Sequence, residues 1–456
     1  MTVLVKMPRI FPSKFLITAT RLQNTYLTMQ KNFSMSSANL KDGRKILIVG
    51  GGTGGITMAA KILGIGEKNV TVIEPSEMHY YQPYWTLVGG RKKNLASSCR
   101  PTSSVMPKGT NWMKDKVMGF DPFSNTVHTE KNGKIHYDYL IVALGLKLAY
   151  EKIKGLPEAF NSKGVCSNYS VQYVEKTAQA MEDFKEGNAI FTQPLNPIKC
   201  AGAPQKIMYL TEEYFTKNGK RNKANIIFNT ALPVIFSCKK YATALEQVAK
   251  EKNISVNYCY NLVEVKPKSN EAIFQKVDKK GKALDPNSTE TFKYEMLHIT
   301  PPMGPPPTIR DSPFADASGF MDVNKNTLQS VKFENVFGLG DCINAPTSKT
   351  MAAISSQSGV LVQNLKLALK KKILTHGYYG YTSCPLVTGY NKGILAEFNY
   401  EMLPEETLPI DQSKERALFY HLKKDVMPLL YWNFMLKGHW SGPKFLRKLL
   451  HLGYTR

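Results

Sequence analysis

A glycine-rich turn near the amino end carries the first recognisable chemistry of this chain. Gly50, Gly52 and Gly55 follow directly on the apolar run 45–49. Such a turn lets a pyrophosphate approach the backbone, and the helix after it offers free N–H groups and a positive dipole. Glu74 closes the next apolar run, at the spacing at which a carboxylate binds a ribose hydroxyl. The pattern predicts a strand, a turn and a helix that bind a dinucleotide.

The apolar pattern beyond this turn predicts two successive α/β units. Residues 45–160 alternate strand and helix signals, and the buried strand at 137–145 is expected to rejoin the first sheet. Residues 161–300 repeat the alternation and include a polar surface hairpin over 266–291. We therefore predict an α/β fold built on two sheets.

A third stretch, 301–395, is expected to complete the first unit. It opens with a proline-rich connector, which can form neither a helix nor a central strand. An apolar strand then ends in a glycine turn that presents Asp341, and a helix is predicted from about 350 to 366. The first unit is therefore predicted to be discontinuous in sequence.

The two ends of the chain differ from this body in composition. Residues 1–41 carry six basic residues and no acidic one. This is typical of a mitochondrial transit peptide, to which we assign 1–44, with a disordered basic tail as the alternative.

Within a predicted membrane-associating region at 396–456, residues 413–456 are basic and aromatic. Their longest apolar run, 426–436, is about half of the roughly twenty residues that cross a bilayer. We expect this region to lie on a membrane, although an amphipathic helix docked on its own domain or on a partner subunit fits the same periodicity.

Composition limits the classes of function. The formal net charge of +24 would attract anionic lipid, anionic substrates and nucleic acid alike. No helix-turn-helix, zinc-finger or RNA-binding signature accompanies it, so we predict no nucleic-acid partner. The seven cysteines lack CxxC or CxxH spacing, which indicates neither a disulfide framework nor a metal site.

The ordered motifs GGGTGG, the acid after it, YDYLIVALG and GLGD resemble those of the two-dinucleotide-binding-domain flavoproteins related to glutathione reductase. The resemblance implies two Rossmann-like domains and FAD as the cofactor. It assigns Thr53 with the glycines to the pyrophosphate, Glu74 to the adenosine and Asp341 to the ribityl region. Gln82, in a Tyr-Gln-Pro turn, and Val117 are further expected cofactor contacts. The helix after Asp341 is expected to point its N-terminus at the isoalloxazine ring.

Members of that superfamily that oxidise NADH carry a second glycine turn at the start of their second domain. Here the stretch 188–204 has prolines in place of those glycines, and it places Cys200 just before a helix predicted at 204–215. A nicotinamide cofactor therefore has no obvious binding site, and another electron donor is expected.

Two cysteine motifs narrow the resemblance. PIKCAGAPQK around Cys200 and SCPLVTGYNKG around Cys384 resemble the mitochondrial sulfide:quinone oxidoreductase family over essentially the whole chain. The resemblance implies that hydrogen sulfide attacks Cys384 of a disulfide or trisulfide, which leaves Cys384 as a persulfide and Cys200 as a thiolate facing the flavin. It further implies that electrons pass through FAD to ubiquinone, and that glutathione, sulfite or coenzyme A accepts the sulfane sulfur.

The residues near these motifs carry further expectations. Lys392 is assigned to a flavin or quinone contact, whereas Lys199 is expected to be a surface lysine. The five other cysteines match no motif, so FAD is predicted to be bound non-covalently. Among them Cys342, beside Asp341, is expected to be a packed thiol.

A lipid-soluble quinone fits a peripheral position on the inner mitochondrial membrane, which is the predicted location. Two other functions remain open. A type II NADH:quinone dehydrogenase shares the fold, FAD and quinone, but it needs a second glycine turn and no cysteine. A flavoprotein with a mainly binding role would use the basic surface and would tolerate Cys200→Ser.

Overall fold

Two five-stranded sheets carry the fold in this computed structural model, which describes residues 43–285 and 288–453. The strands are, in chain order, β1 (Ile46–Val49), β2 (Val70–Ile73), β3 (Met78–Tyr80), β4 (Cys99–Pro101), β5 (Thr110–Met113), β6 (Val117–Asp121), β7 (Thr126–Thr129), β8 (Gly133–His136), β9 (Tyr139–Val142), β10 (Lys147–Leu148), β11 (Val165–Cys166), β12 (Gly187–Gln193), β13 (Ala224–Thr230), β14 (Ser255–Tyr258), β15 (Tyr260–Lys266), β16 (Glu271–Lys276), β17 (Thr289–Lys293), β18 (Met296–His298), β19 (Met303–Gly304), β20 (Val336–Gly338), β21 (Thr382–Gly389) and β22 (Lys392–Phe398). The α-helices are α1 (Thr53–Gly64), α2 (Trp85–Gly89), α3 (Thr102–Val105), α4 (Val174–Asp183), α5 (Ala203–Lys217), α6 (Lys239–Glu251), α7 (Pro307–Arg310), α8 (Met351–Leu369), α9 (Ala417–His421), α10 (Met427–Leu430) and α11 (Lys444–Leu450). The predicted transit peptide, 1–44, lies outside the described residues except for its last two positions.

Both large sheets are parallel. The first has the order β20-β9-β1-β2-β5, and the second has the order β11-β18-β12-β13-β14. β9 is the predicted return strand, and β20 rejoins the first sheet after the second unit, so the first unit is discontinuous as expected. All four residues of β1 are buried, as strands covered on both faces require. The predicted α/β fold with two Rossmann-like units is confirmed, while its exact domain boundaries stay predictions.

The connection from β1 to α1 depends on two glycines. Gly50 has φ +98°, in the left-handed region that favours glycine. A Cβ atom on Gly55 would lie 1.8 Å from the carbonyl oxygen of Gly50, so only a glycine lets α1 pack this closely. Gly52 is different, because a Cβ there would meet nothing within 4 Å.

The loop after β12 and two antiparallel sheets complete this part of the fold. β12 leads through a loop to α5, and β21 pairs with β22 in an antiparallel hairpin. The polar hairpin predicted over 266–291 is present as the antiparallel sheet β15-β16-β17.

The C-terminal segment, residues 413–453, docks one face on the rest of the molecule. It combines α9, α10 and α11 with two π-helical stretches, Leu422–Val426 and Tyr431–Met435. Tyr431 and Trp432 are buried, whereas Leu429 and Phe445 are exposed by 60% and 80%. The segment therefore both packs on its own fold and presents apolar side chains to the outside. In the described part of the chain, no helix is both long and apolar enough to cross a membrane.

The two glycines of the first turn give a matched stability test. Gly55→Ala forces a methyl group into the Gly50 carbonyl, so we expect the free energy of unfolding to fall by about 3 kcal/mol. Gly52→Ala places its methyl group in open space and should change that free energy by less than about 1 kcal/mol. Denaturant unfolding of both variants tests this, and equal loss of stability would contradict the packing described.

Candidate functional site

A cavity of about 680 Å³ opens at the carboxyl ends of the first-sheet strands, where open parallel sheets bind their ligands. This volume lies within the range of small-molecule and cofactor sites. Most of the residues predicted to hold a cofactor line this cavity, namely Gly50, Gly52, Thr53, Glu74, Gln82, Val117 and Asp341.

The glycine turn is arranged to receive an anionic group. The Glu74 carboxylate accepts hydrogen bonds from the backbone N–H groups of Gly51 and Ser76, each at 2.7 Å. No side chain caps the N-terminus of α1, so its first N–H groups remain available to a phosphate. The open space beside Gly52 allows a ligand to touch the backbone there.

The rest of the cavity offers polar groups to a ligand. Both side-chain amide atoms of Asn168 are buried without a hydrogen-bond partner among the described residues, and Asn168 lines the cavity. A ligand with polar edges would satisfy them. The Asp341 turn, which also lines the cavity, is fixed by a hydrogen bond of 2.7 Å from Gly340 N to Gln357 Oε1 of α8. Burial raises the pKa of Asp341.

Cys200 lies in the loop between β12 and α5, at the edge of the same cavity. Its φ of +50° is in the left-handed region, which is uncommon for a residue with a side chain. Its N–H donates to the Lys349 carbonyl at 2.8 Å, and its carbonyl accepts from Ala203 N at 2.7 Å. These bonds fix the strained loop next to the N-terminus of α8.

Cys384 comes from β21 and lies behind Cys200, away from the cavity wall. Its sulfur is 3.8 Å from that of Cys200. This exceeds the length of a disulfide, about 2.05 Å, so the two sulfur atoms are in contact without a bond between them. Gly202 makes the contact possible, since a Cβ there would lie 2.6 Å from Cys384 Sγ and 2.5 Å from Leu386 Cδ2.

A buried lysine polarises this pair. Lys206 Nζ donates to Cys200 Sγ at 3.1 Å from the first turns of α5. The hydrogen bond from Cys384, together with the charges of Lys206 and Lys423, lowers the pKa of Cys200 well below that of a free thiol. The hydrogen bond to Cys200 and burial raise the pKa of Cys384. The pair therefore favours a thiolate at Cys200 and a protonated thiol at Cys384.

A second buried lysine completes the positive surroundings. Lys423 is 3% exposed, donates to the Pro83 carbonyl at 3.1 Å, and lines the cavity. Burial and the nearby Lys206 charge lower its pKa to about 7. Its charge can therefore change near neutral pH, next to the sulfur pair.

Four expected positions need separate comment. Gly55 lies beneath the turn, where it serves packing and does not line the cavity. Lys392 begins β22 with a side chain that is 58% exposed, 3.8 Å from Glu415, and it does not line the cavity; its assignment as a cofactor contact is not supported. Lys199 was expected at the surface, but it lines the cavity and donates to Gln82 Oε1 at 2.8 Å. Cys342 is fully buried, and burial raises its pKa to about 11, as a packed thiol requires.

Sequence reasoning missed both lysines around the sulfur pair. Lys206 could have been found from the sequence, because it lies six residues after Cys200 and one turn into a helix that begins at Ala203. Such a side chain points back toward the loop before its helix. Lys423 carried no local signal, because only the docking of the C-terminal segment buries it.

Comparison with known proteins identifies the family. Residues 44–186 match the model of the pyridine nucleotide-disulphide oxidoreductase family. The chain is 56% identical over 414 residues to the mouse mitochondrial sulfide:quinone oxidoreductase, with 91% of each chain covered. It is 47% identical over 414 residues to the Dictyostelium discoideum protein of the same name, with 89% of each covered.

The chain belongs to the mitochondrial sulfide:quinone oxidoreductase family.

The predicted membership in this family of flavin-dependent oxidoreductases is therefore confirmed. A solved structure of the sulfide:quinone oxidoreductase from Aquifex aeolicus has the same fold, with a TM-score of 0.75 at 18% identity and with 90% of this chain and 95% of that chain covered.

The Lys206 contact predicts the pH dependence of Cys200 in the reduced protein. Lys206→Met removes the charge that favours the thiolate, so the pKa of Cys200 rises and the thiolate is lost at a higher pH than in the wild type. Alkylation of Cys200 by iodoacetamide is carried out at pH values from 5 to 9 and quantified by mass spectrometry. The wild type should be labelled even at the acid end, whereas labelling of the variant should begin at a higher pH. Lys217→Met, on the exposed end of the same helix, is the control. Superimposable profiles for the wild type and Lys206→Met would contradict the assignment.

Proposed function

We propose that this protein oxidises hydrogen sulfide at the Cys200–Cys384 pair and delivers two electrons, through FAD, to ubiquinone. The observation that carries the proposal is the 3.8 Å contact between the two sulfur atoms at the edge of a dinucleotide-sized cavity. The names of the close relatives support the same substrates.

The charge asymmetry of the pair supports a direction for sulfide attack. Hydrosulfide attacks Cys384 Sγ of the oxidised pair, the bond between the cysteines breaks, and Cys200 leaves as a thiolate. The lower pKa makes Cys200 the better leaving group, and Lys206 neutralises its negative charge. Cys384 then carries a persulfide. In a bridge with one additional sulfur atom, the same attack on Cys384 Sγ would leave Cys200 as a persulfide anion in place of a thiolate.

The second half of the cycle restores the pair. A thiolate or sulfite acceptor attacks the outer sulfur of the persulfide and leaves Cys384 as a thiolate. Glutathione, sulfite and coenzyme A all supply such a nucleophile, and the buried lysines favour anionic reactants. Reformation of the bond between Cys200 and Cys384 then releases two electrons.

FAD is the cofactor that fits this cavity, and when bound it accepts two electrons from sulfur and passes them to a quinone. Gly50, Gly52 and Thr53 would hold its pyrophosphate, and Glu74 would hold the adenosine ribose. Asp341 would face the ribityl chain. Gln82 and Val117 would contact the cofactor elsewhere along the cavity.

The described part of the second unit offers no comparable turn for a nicotinamide cofactor. Its β12-to-α5 connection contains Gly202, and the space beside this glycine is filled by Cys384 and Leu386. At Gly52 the corresponding space is open. This contrast favours sulfide over NADH as the electron donor and argues against the type II NADH dehydrogenase alternative.

The far end of the cavity is suited to a quinone. Met427, Leu430, Trp440 and Leu446 of the C-terminal segment line it. Leu446 is also 39% exposed, so this wall reaches the apolar outer face of the segment. We place that face on the inner mitochondrial membrane, where ubiquinone could enter from the lipid.

Reduction of the bound flavin distinguishes the candidate functions. Anaerobic sulfide should bleach the flavin absorbance of the wild-type protein, whereas NADH should not. Cys200→Ser and Cys384→Ser should each slow bleaching by sulfide by at least about a hundredfold, since neither can form the bridge. Cys259→Ser, away from the cavity, is the control. Bleaching by NADH without a response to sulfide would favour the dehydrogenase, and unaffected cysteine variants would contradict the sulfur pair.

Binding to vesicles tests the proposed membrane face. Leu429→Ser combined with Phe445→Ser should weaken sedimentation with cardiolipin-containing vesicles by about tenfold or more, because two inserted apolar side chains are lost. Phe123→Ser combined with Ile373→Ser removes two side chains that are 76% and 87% exposed elsewhere, and should have little effect. Equal sedimentation of both double variants would contradict the assignment.

A further inference from the structure

The C-terminal segment is hydrogen-bonded directly to the glycine turn of the first unit. The Tyr431 hydroxyl lies 2.9 Å from Thr53 Oγ1, at the first residue of α1, and 2.5 Å from His79 Nε2. His79 Nδ1 lies 3.3 Å from the Gly51 carbonyl oxygen. One buried hydroxyl from residue 431 thus contacts Thr53 directly and reaches the Gly51 carbonyl through His79.

The direction of each of these hydrogen bonds can be assigned. Burial lowers the pKa of His79 to about 4, so the imidazole is neutral and has one N–H group. The Gly51 carbonyl can only accept, which places the proton on Nδ1. His79 Nε2 therefore accepts from Tyr431, and the Tyr431 oxygen accepts from the Thr53 hydroxyl. Every donor in this series of three hydrogen bonds is used, and the Tyr431 hydroxyl takes part in two of them.

A second contact joins the same segment to the body of α1. Lys61, 7% exposed, donates to the Gly438 carbonyl at 3.0 Å and to Ser441 Oγ at 2.7 Å. A Cβ on Gly438 would lie 3.2 Å from the backbone of Ala60 in α1. A Cβ on Gly442 would lie 2.2 Å from Ser356 Oγ of α8. Residues 438–442 therefore pack between α1 and α8, whose N-termini both face the cavity.

We propose that Tyr431 is a positioning residue for FAD, so that docking of the C-terminal segment and retention of the cofactor stabilise each other. The segment fixes the turn that receives the pyrophosphate, and a bound pyrophosphate in turn orders the turn to which Tyr431 binds. Because such coupling is reciprocal, loosening the segment must weaken cofactor binding, and loss of the cofactor must loosen the segment. The inference rests on the proposed FAD site.

The test uses the purified holoenzyme and two variants, one at Tyr431, which borders the cavity, and one at Lys61, which does not. Tyr431→Phe deletes one hydroxyl and leaves His79 Nε2 without its donor. FAD release, followed by recovery of flavin fluorescence after dilution, should become about tenfold faster. Lys61→Met acts on the other contact, does not line the cavity, and should accelerate release at least about threefold. Tyr420→Phe is the control, because the hydroxyl of this buried tyrosine makes no hydrogen bond to the described residues.

Hydrogen exchange of the same samples supplies a readout independent of turnover. Residues 427–442 should exchange faster in Tyr431→Phe and Lys61→Met than in the wild type and Tyr420→Phe. Faster exchange with unchanged FAD release in both variants would overturn the coupling, and so would unchanged exchange with unchanged release. A wild-type protein without FAD would overturn the cofactor assignment as well, whereas the first two outcomes leave that assignment intact.

Discussion

The contact between Cys200 and Cys384 is the constraint on which the site depends. The two residues are 184 positions apart, yet their sulfur atoms lie within 3.8 Å. Hydrogen bonds join the segments that carry both residues to the start of α8. The Cys200 N–H donates to the Lys349 carbonyl, and Thr382 of β21 lies within 2.8 Å of Thr350, hydroxyl to hydroxyl. The same helix end faces the cavity. One structural element therefore positions both sulfur atoms and the proposed flavin site.

The β21–β22 hairpin also separates two kinds of environment. Successive side chains of a strand point to opposite faces, so Cys384 packs against Gly202 while its neighbour Ser383 lines the cavity. Glu397, paired with Ser383 across the hairpin, lines the cavity as well. The hairpin therefore places the buried sulfur of Cys384 on one face and part of the cavity wall on the other.

Much of this arrangement could be predicted from the sequence because its signals are local. The glycine turn needs glycines at 50 and 55 for backbone reasons, and each parallel strand appears as a short apolar run. Residues that depend on long-range packing could not be found in this way. Lys423, His79 and Tyr431 acquire their roles only when the C-terminal segment docks. Lys392 belongs to a cysteine motif but starts a strand at an exposed turn, so its expected cofactor contact stays a prediction.

Peptide mapping of the oxidised protein under non-reducing conditions tests whether Cys200 and Cys384 form the redox-active pair. We expect one cross-linked species that contains Cys200 and Cys384, with the mass of a disulfide or of a bridge with one additional sulfur atom. The other cysteines should be recovered alkylated and unlinked. Recovery of Cys200 and Cys384 on separate peptides, or linked to different cysteines, would contradict the account.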